Sequence, residues 1–426
     1  MQILHEPAYV LSLVFSLALI ASLLVKFWLA TRQLRHVSVR RSSVPARFAQ
    51  HVGLAAHQRA ADYTLTKGRL GMVGMALGSA LLLGWTLLGG LEALNVAVRD
   101  TVQPMLGDMA YQLALLTAFA LIAGLLDLPL DAFSTFRIEA HFGFNRTTWR
   151  LYAFDLLKNV IVGALIGLPI AALILWLMNA AGAFWWLWAW GVWMGFNLLI
   201  LVLYPTVIAP LFNKFEPLAD ESLRVRVQAL MARCGLSAKG LFVMDGSKRS
   251  SHANAYFTGL GAAKRVVFFD TLLTKLNPGE VEAVLAHELG HFKHHHVLKR
   301  AVAMFVISLL GFALLGWLSR HEWFFTGLGV QPNLDAPNDA LALLLFALAL
   351  PVFLYFGSPL LAQLSRRHEF EADAYACALS SSTDLAQALL KLHEDNAATL
   401  TPDPLYAQFY YSHPPVSERL SALQNG

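Results

Sequence analysis

The chain has 426 residues, of which 57% are hydrophobic and only 14% charged. That balance excludes an ordinary soluble protein of this length, and several apolar runs of roughly 18 or more residues place it among integral membrane proteins. The formal net charge of +4 does not call for nucleic acid as a partner, because basic residues are expected beside membrane spans.

Hydropathy predicts seven spans. The first covers about Ala8 to Phe27. Met1 to Pro7 carries no Lys or Arg and no small-residue cleavage site follows, so this span does not read as a secretory signal. The next four cover about Leu70 to Val96, Tyr111 to Leu130, Leu156 to Met178, and Phe184 to Tyr204. A charged stretch, Asn213 to Arg300, has the composition of a soluble subdomain. Spans six and seven follow at about Ala301 to Leu318 and Ala340 to Leu361, and the tail from Ser365 is again soluble in character. The expected sections are therefore 1–212 with five spans, 213–300, 301–364 with two spans, and 365–426.

An odd number of spans puts the two ends on opposite sides. Basic residues such as Arg32, Arg35, Arg40 and Arg41 crowd the loops after spans one, three, five and seven. They are nearly absent after spans two, four and six, which predicts a cytosolic carboxyl end and a cytosolic 213–300 segment. Cys234 and Cys377 both fall in these cytosolic segments and are expected as free thiols. Asp127, Asp131, Asn159 and Asn197 are costly against lipid and should face the bundle interior or water. Trp185, Trp186, Trp188 and Trp190 suit an aromatic belt at the outer interface or packing in the core.

Within 213–300, Asp220 to Cys234 carries an apolar stripe at Leu223, Val227, Leu230 and Met231 and predicts a helix. Leu241 to Met244, Ala253 to Thr258 and Arg265 to Phe269 predict strands, the last two separated by Gly259 and Gly261. A further helix starts with Asn277 as N-cap and Pro278 as first residue. It carries His287-Glu288-Leu289-Gly290-His291. On a helix, His287 and His291 project from one face. They can share one zinc ion, with Glu288 placed to take a proton from its water.

Zinc in a hydrolytic site wants a third protein ligand. His294 and Val297 stand where a metzincin needs Gly and His, so that pattern fails. Glu369 and Asp373 lie four apart on a later helical stretch. Glu369 can complete the ligand set while Asp373 fixes the tautomer of a ligand histidine. Glu371 is expected to face solvent or pair with arginine. His294 and His295 are placed on the same side as His291, and His294 to His296 are expected as polar residues at a helix end rather than ligands.

Ser251 to Phe257, Val266 to Leu272, His287 to His291, Glu369 to Asp373, and Ser412-His413-Pro414-Pro415 with Arg419 occur in this order. With Glu139 to Asn145 and Ala209 to Phe215, the set resembles the type 1 CAAX prenyl proteases, integral-membrane zinc endopeptidases. The resemblance implies a mainly α, polytopic fold: seven helices around a water-filled chamber, with a zincin-like α+β metalloprotease domain on the cytosolic side. It implies zinc on His287, His291 and Glu369, with Glu288 as general base. His413 would stabilise the oxyanion, and Asn254 and Arg419 would contact a peptide substrate held as an added strand. The expected substrate is a membrane-associated protein or peptide, prenylated in the family's own case. The Ala- and Leu-rich composition suits a bacterial inner membrane, with the endoplasmic reticulum as the eukaryotic counterpart. In a bacterium, quality control of membrane proteins, as by the related HtpX proteases, is the alternative. A transporter or receptor that binds metal without catalysis would explain the spans, but neither Glu288 between the histidines nor Glu369.

Overall fold

The computed structural model describes residues 6–235, 240–258 and 265–425. Among them, seven helical stretches are long and apolar enough to cross a membrane. Helix α1 (Pro7–Arg40) runs well past the expected Phe27. Helix α2 (Leu54–Trp85) stops before the expected Val96. Hydropathy is continuous there, and the break lies in the backbone. Gly89 sits at φ 82°, and a Cβ on Gly90 would stand 2.6 Å from the Gly84 carbonyl oxygen, so this turn takes glycine. Gly90 then opens α3 (Gly90–Phe133), which is kinked at Gly107 (φ 80°) and passes into a π-helical turn, Ser134–Glu139. The stretch expected as a loop before Tyr111 is thus mostly helix. Next come α4 (Trp149–Ala180), α5 (Trp185–Leu203) and, after a π turn, α6 (Ala209–Phe212).

The soluble segment opens with β1 (Phe215–Pro217), too short and irregular to show in the sequence pattern. Helix α7 (Glu221–Arg233) is capped by the Asp220 carboxylate, which accepts from Leu223 N at 3.0 Å. Strands β2 (Gly240–Met244), β3 (Ala255–Thr258) and β4 (Arg265–Phe269) complete a four-stranded sheet in the order β1-β2-β4-β3. Only β2 and β4 pair in parallel, and β3, last in that order, is an edge strand among the described residues. Gly259 and Gly261 lie outside the described residues. After α8 (Asp270–Leu273), helix α9 (Pro278–Lys293) starts with Pro278 and a full capping box between Asn277 and Glu280. Leu230 of α7, Phe268 of β4, and Leu285 and Leu289 of α9 share one buried core.

Helix α10 (His296–Leu318) is the sixth span, followed by α11 (Glu322–Thr326) and α12 (Asp339–Leu354). After one 3-10 turn, α13 (Ser358–Leu379) continues the seventh span into the segment that carries Glu369. The tail adds α14 (Ser382–Asp395), α15 (Pro404–Tyr410) and α16 (Val416–Asn425). The bundle core includes Phe15, Leu91, Leu115, Leu175 and Leu345. A buried polar ring ties α3 to the loop before α12. Asn95 donates to Asn333 Oδ1 at 2.9 Å, Asn333 donates to the Tyr111 hydroxyl at 2.9 Å, and that hydroxyl donates to Asn95. Every member has a partner, which is what makes such a ring tolerable in an apolar core.

The tryptophan cluster divides. Trp185 is buried, Trp186 covers Gly316, and Trp190 donates to the Phe305 carbonyl at 3.1 Å, whereas Trp188 faces outward. Asp127, Asp131 and Asn159 are exposed, and Asp131 accepts from the Tyr152 hydroxyl at 2.6 Å.

Candidate active site

Helix α9 turns His287, Leu289 and Gly290 inward against α13. A Cβ on Gly290 would lie 3.0 Å from the Ala372 Cα and 3.1 Å from its carbonyl oxygen. The absence of a side chain there lets the two helix backbones approach. That approach brings Glu369 between the histidines: its Oε2 stands 3.4 Å from His287 Nε2 and its Oε1 stands 3.2 Å from His291 Nε2. One donor atom from each of the three lies within 4.8 Å of the others. Two ligands at about 2.1 Å from one tetrahedral ion stand about 3.4 Å apart, so the spacing fits a shared metal. Among the described residues Glu369 Oε2 also has no hydrogen-bond partner though it is buried, an orphan that a cation would satisfy.

The carboxylate of Asp373 lies 2.8 Å from His287 Nδ1, which leaves Nε2 facing Glu369. Burial disfavours a charged His287 ring, but Asp373 and Glu369 outweigh it and push the imidazole up to about 9. A metal ion must displace that proton. Arg419, expected at the substrate, borders the cleft that opens onto this cluster but is buried. Its guanidinium forks onto Asp373, with Nε to Oδ2 at 2.8 Å and Nη2 to Oδ1 at 2.5 Å. Asp373 is thereby held by a bidentate pair and turned toward His287.

On the opposite side of the donor set, His291 Nδ1 lies 3.0 Å from His296 Nδ1, and His296 Nε2 lies 2.8 Å from Glu371 Oε2. His296 is fully buried and stacks on His368 with ring centroids 4.0 Å apart. The sequence reading put the wrong histidines beside His291. The triplet does lie at a helix end, as expected, but α9 stops at Lys293, the chain turns at His295 (φ 56°) and α10 starts at His296. His295 is exposed and His294 is half-buried. Glu371 is exposed, as expected, and its partner is His296 and not an arginine. The available signal was the run of three histidines itself, since a left-handed residue in it rotates the last one back toward the motif.

A cleft of about 490 Å³ opens onto this cluster, bordered by Glu288, Asn254, His413 and Pro414 among others. Burial pushes the Glu288 carboxyl up, opposed by the two histidines beside it. His413 Nε2 is 3.5 Å from Glu369 Oε1, its Nδ1 is 3.0 Å from Ser412 Oγ, and its side chain is 67% exposed at the mouth. Asn254 is exposed just before edge strand β3, with its own amide oxygen accepting from Ala255 N at 2.8 Å. Of the expected site residues, His287, Glu288, His291, Glu369, Asp373, His413 and Arg419 converge, and Asn254 borders the same cleft.

Spans that cross a bilayer and an H-E-x-x-H…Glu cluster at their edge, on one chain, define an integral-membrane metalloendopeptidase. Residues 33–214 match the model of the CAAX prenyl protease N-terminal region with five membrane helices, and residues 217–426 match peptidase family M48. CAAX prenyl protease 1 of Saccharomyces cerevisiae is 31% identical over 99% of this chain and 97% of its own length. The CAAX prenyl protease 1 homolog of Homo sapiens is 33% identical over 74% of each chain. The crystal structure of S. mikatae Ste24p superposes with a TM-score of 0.90 at 31% identity, covering 97% of this chain and 98% of that one. The chain belongs to the type 1 CAAX prenyl protease family of M48 membrane metallopeptidases.

Proposed function

We propose that the chain cleaves membrane-tethered peptides with a single zinc ion held by His287, His291 and Glu369. The observation that carries this reading is the 3.2–3.4 Å spacing of the Glu369 oxygens from the two imidazoles. A bound zinc would supply Lewis acidity and a water that ionises near neutral pH. The chain's residues do the rest. Glu288, in the cleft and raised by burial, takes a proton from water and passes it to the leaving amine. His413 at the mouth donates to the developing oxyanion. Asn254 and β3 offer an extended peptide a strand edge that is unpaired among the described residues, with backbone pairing for grip. Asp373 and Arg419 orient His287, and His296 with Glu371 orients His291.

In this reading the peptidase unit is assembled from 213–300 and 365–426, with the two crossings of 301–364 between them. The charge asymmetry of the loops supports a cytosolic placement of this unit, and the composition supports a bacterial inner membrane. The likeness to yeast CAAX prenyl protease 1 over nearly the full length supports a prenylated substrate. The test compares a farnesylated peptide with its unmodified twin, each with and without a zinc chelator. The expected result is chelator-sensitive cleavage of the farnesylated peptide at least tenfold above the unmodified one. Equal cleavage of both would transfer the chain to quality control of membrane proteins, and chelator-insensitive cleavage would remove the metal mechanism.

A further inference from the structure

A second hollow, of about 660 Å³, lies between α1, α2 and the carboxy-terminal segment. It adjoins the peptidase cleft: His393, Asn396, Ala398, Tyr411 and Pro415 border both. Among the described residues two lysines line it, Lys26 and Lys67, and no carboxylate does. Lys67 is neutralised, since its Nζ donates to Glu139 Oε1 at 2.9 Å and to the Tyr63 hydroxyl at 3.1 Å. Lys26 is not. It is the sole charged residue of α1 between Pro7 and Arg32, and among the described residues no carboxylate lies within 4.0 Å of its ammonium. What it does meet is the face of the Tyr355 ring, 4.8 Å from the centroid. The two titratable groups on the shared wall, His393 and Tyr411, add no charge, and burial pushes the Tyr411 phenol up. Burial pushes His393 down to about 4, and its Nε2 has no hydrogen-bond partner.

A cation inside a membrane helix is costly, and it is retained where it faces a pathway or a ligand. A cation–π contact offsets part of that cost but does not neutralise the charge. The cavity therefore holds one uncompensated positive charge beside the site of cleavage, walled by phenol-bearing side chains such as Tyr406, Tyr410 and Tyr411.

We propose that this cavity is a receptor for a carboxylate of the bound peptide, with Lys26 as its cation. The proposal rests on the peptidase reading above and adds where one end of the substrate is held. An extended peptide running through the cleft carries either a side-chain carboxylate or its terminal carboxylate into the adjoining hollow. Either would form a charge-assisted hydrogen bond with the ammonium, stronger in a partly dry cavity than in water.

The test uses the full chain in lipid and four versions of one farnesylated peptide: the free acid, the carboxy-terminal amide, and each of these with its acidic side chain changed to the amide form. Wild type is expected to favour the carboxylate-bearing member of one pair by about 10- to 100-fold in kcat/KM, mostly through KM, the size of one charge-assisted contact. The pair that shows the preference identifies the terminal or the side-chain carboxylate. In Lys26→Met the preference should collapse toward one, and in Lys26→Arg it should persist. A preference of unchanged size in Lys26→Met, or no preference in wild type, overturns the receptor while leaving the peptidase reading intact. Wild type that cleaves none of the four overturns both.

Discussion

Helix α9 meets α13 so closely that a single methyl on Gly290 would touch the Ala372 backbone, at 3.0–3.1 Å. Helix α4 is the opposite. Gly163 and Gly167 have nothing within 4 Å of where a Cβ would stand, and Phe154, Leu157 and Leu165 on the same helix are exposed. Helix α9 is a short amphipathic helix fixed to α13 along this line, whereas the stretch of α4 around Gly163 and Gly167 borders open space, its buried residues Ile174 and Leu175 coming only further on. The difference follows from task. A metal donor set tolerates displacements of a fraction of an ångström, whereas a wall around a chamber or against lipid needs only to span.

The largest expected effect lies in the fixed region. Glu288→Gln should lower kcat by about 10²- to 10⁴-fold, the range for loss of a general base, while metal content stays that of wild type. Peptide cleavage and metal analysis on the same preparation check both halves. Near-wild-type turnover would detach the seam's precision from its chemistry.

Arg419→Met comes next. It leaves Asp373 buried without its bidentate partner, a change that typically costs about 3–5 kcal/mol. Thermal unfolding should shift strongly downward and metal binding should weaken. If stability and metal binding hold and only KM rises, Arg419 contacts the substrate after all.

His296→Ala should weaken metal binding by about 10- to 100-fold, as loss of a partner behind a ligand histidine usually does. Competition with a chelator reads this without any turnover. His294→Ala is the matched control, since among the described residues the His294 side chain makes ring contacts with His296 and Tyr375 and no hydrogen bond. Equal losses in both variants would mean the triplet acts through bulk charge and not through the His291–His296–Glu371 chain.

How much of this was open to sequence reasoning depends on whether the cause is local. The H-E-x-x-H spacing, the Asn277 cap and the i, i+4 pair Glu369 and Asp373 are local, and the residues sit where spacing alone puts them. The class of fold was legible too, because long apolar runs admit few structures in a bilayer. What escaped depends on single backbone angles or on distant partners. Gly89 turns the chain into α3 inside an unbroken apolar run, and His295 turns it from α9 into α10. Arg419 meets Asp373 across 46 positions, and Lys26 lines its cavity only once α1, α2 and the tail have assembled.

The two smallest effects test the contrast between the helices directly. Gly290→Ala adds one methyl at 3.0 Å from Ala372 Cα, where the obstacle is backbone and cannot rotate aside. Overpacking of this kind costs about 1–3 kcal/mol, more than the helix propensity that alanine adds back, about 1 kcal/mol. Metal affinity should fall along with stability, because Glu369 stands one turn before Ala372 on the displaced helix. Gly163→Ala adds the same methyl to an equally helical position with nothing beside it. Only the propensity gain remains, so unfolding in lipid or detergent should be unchanged or slightly later, within about 1 kcal/mol, and cleavage should match wild type. The pair of variants differs in neighbours and in nothing else of the chemistry introduced. If Gly163→Ala destabilises as much as Gly290→Ala, α4 packs on a partner surface, and the open space along it is an interface and not a wall.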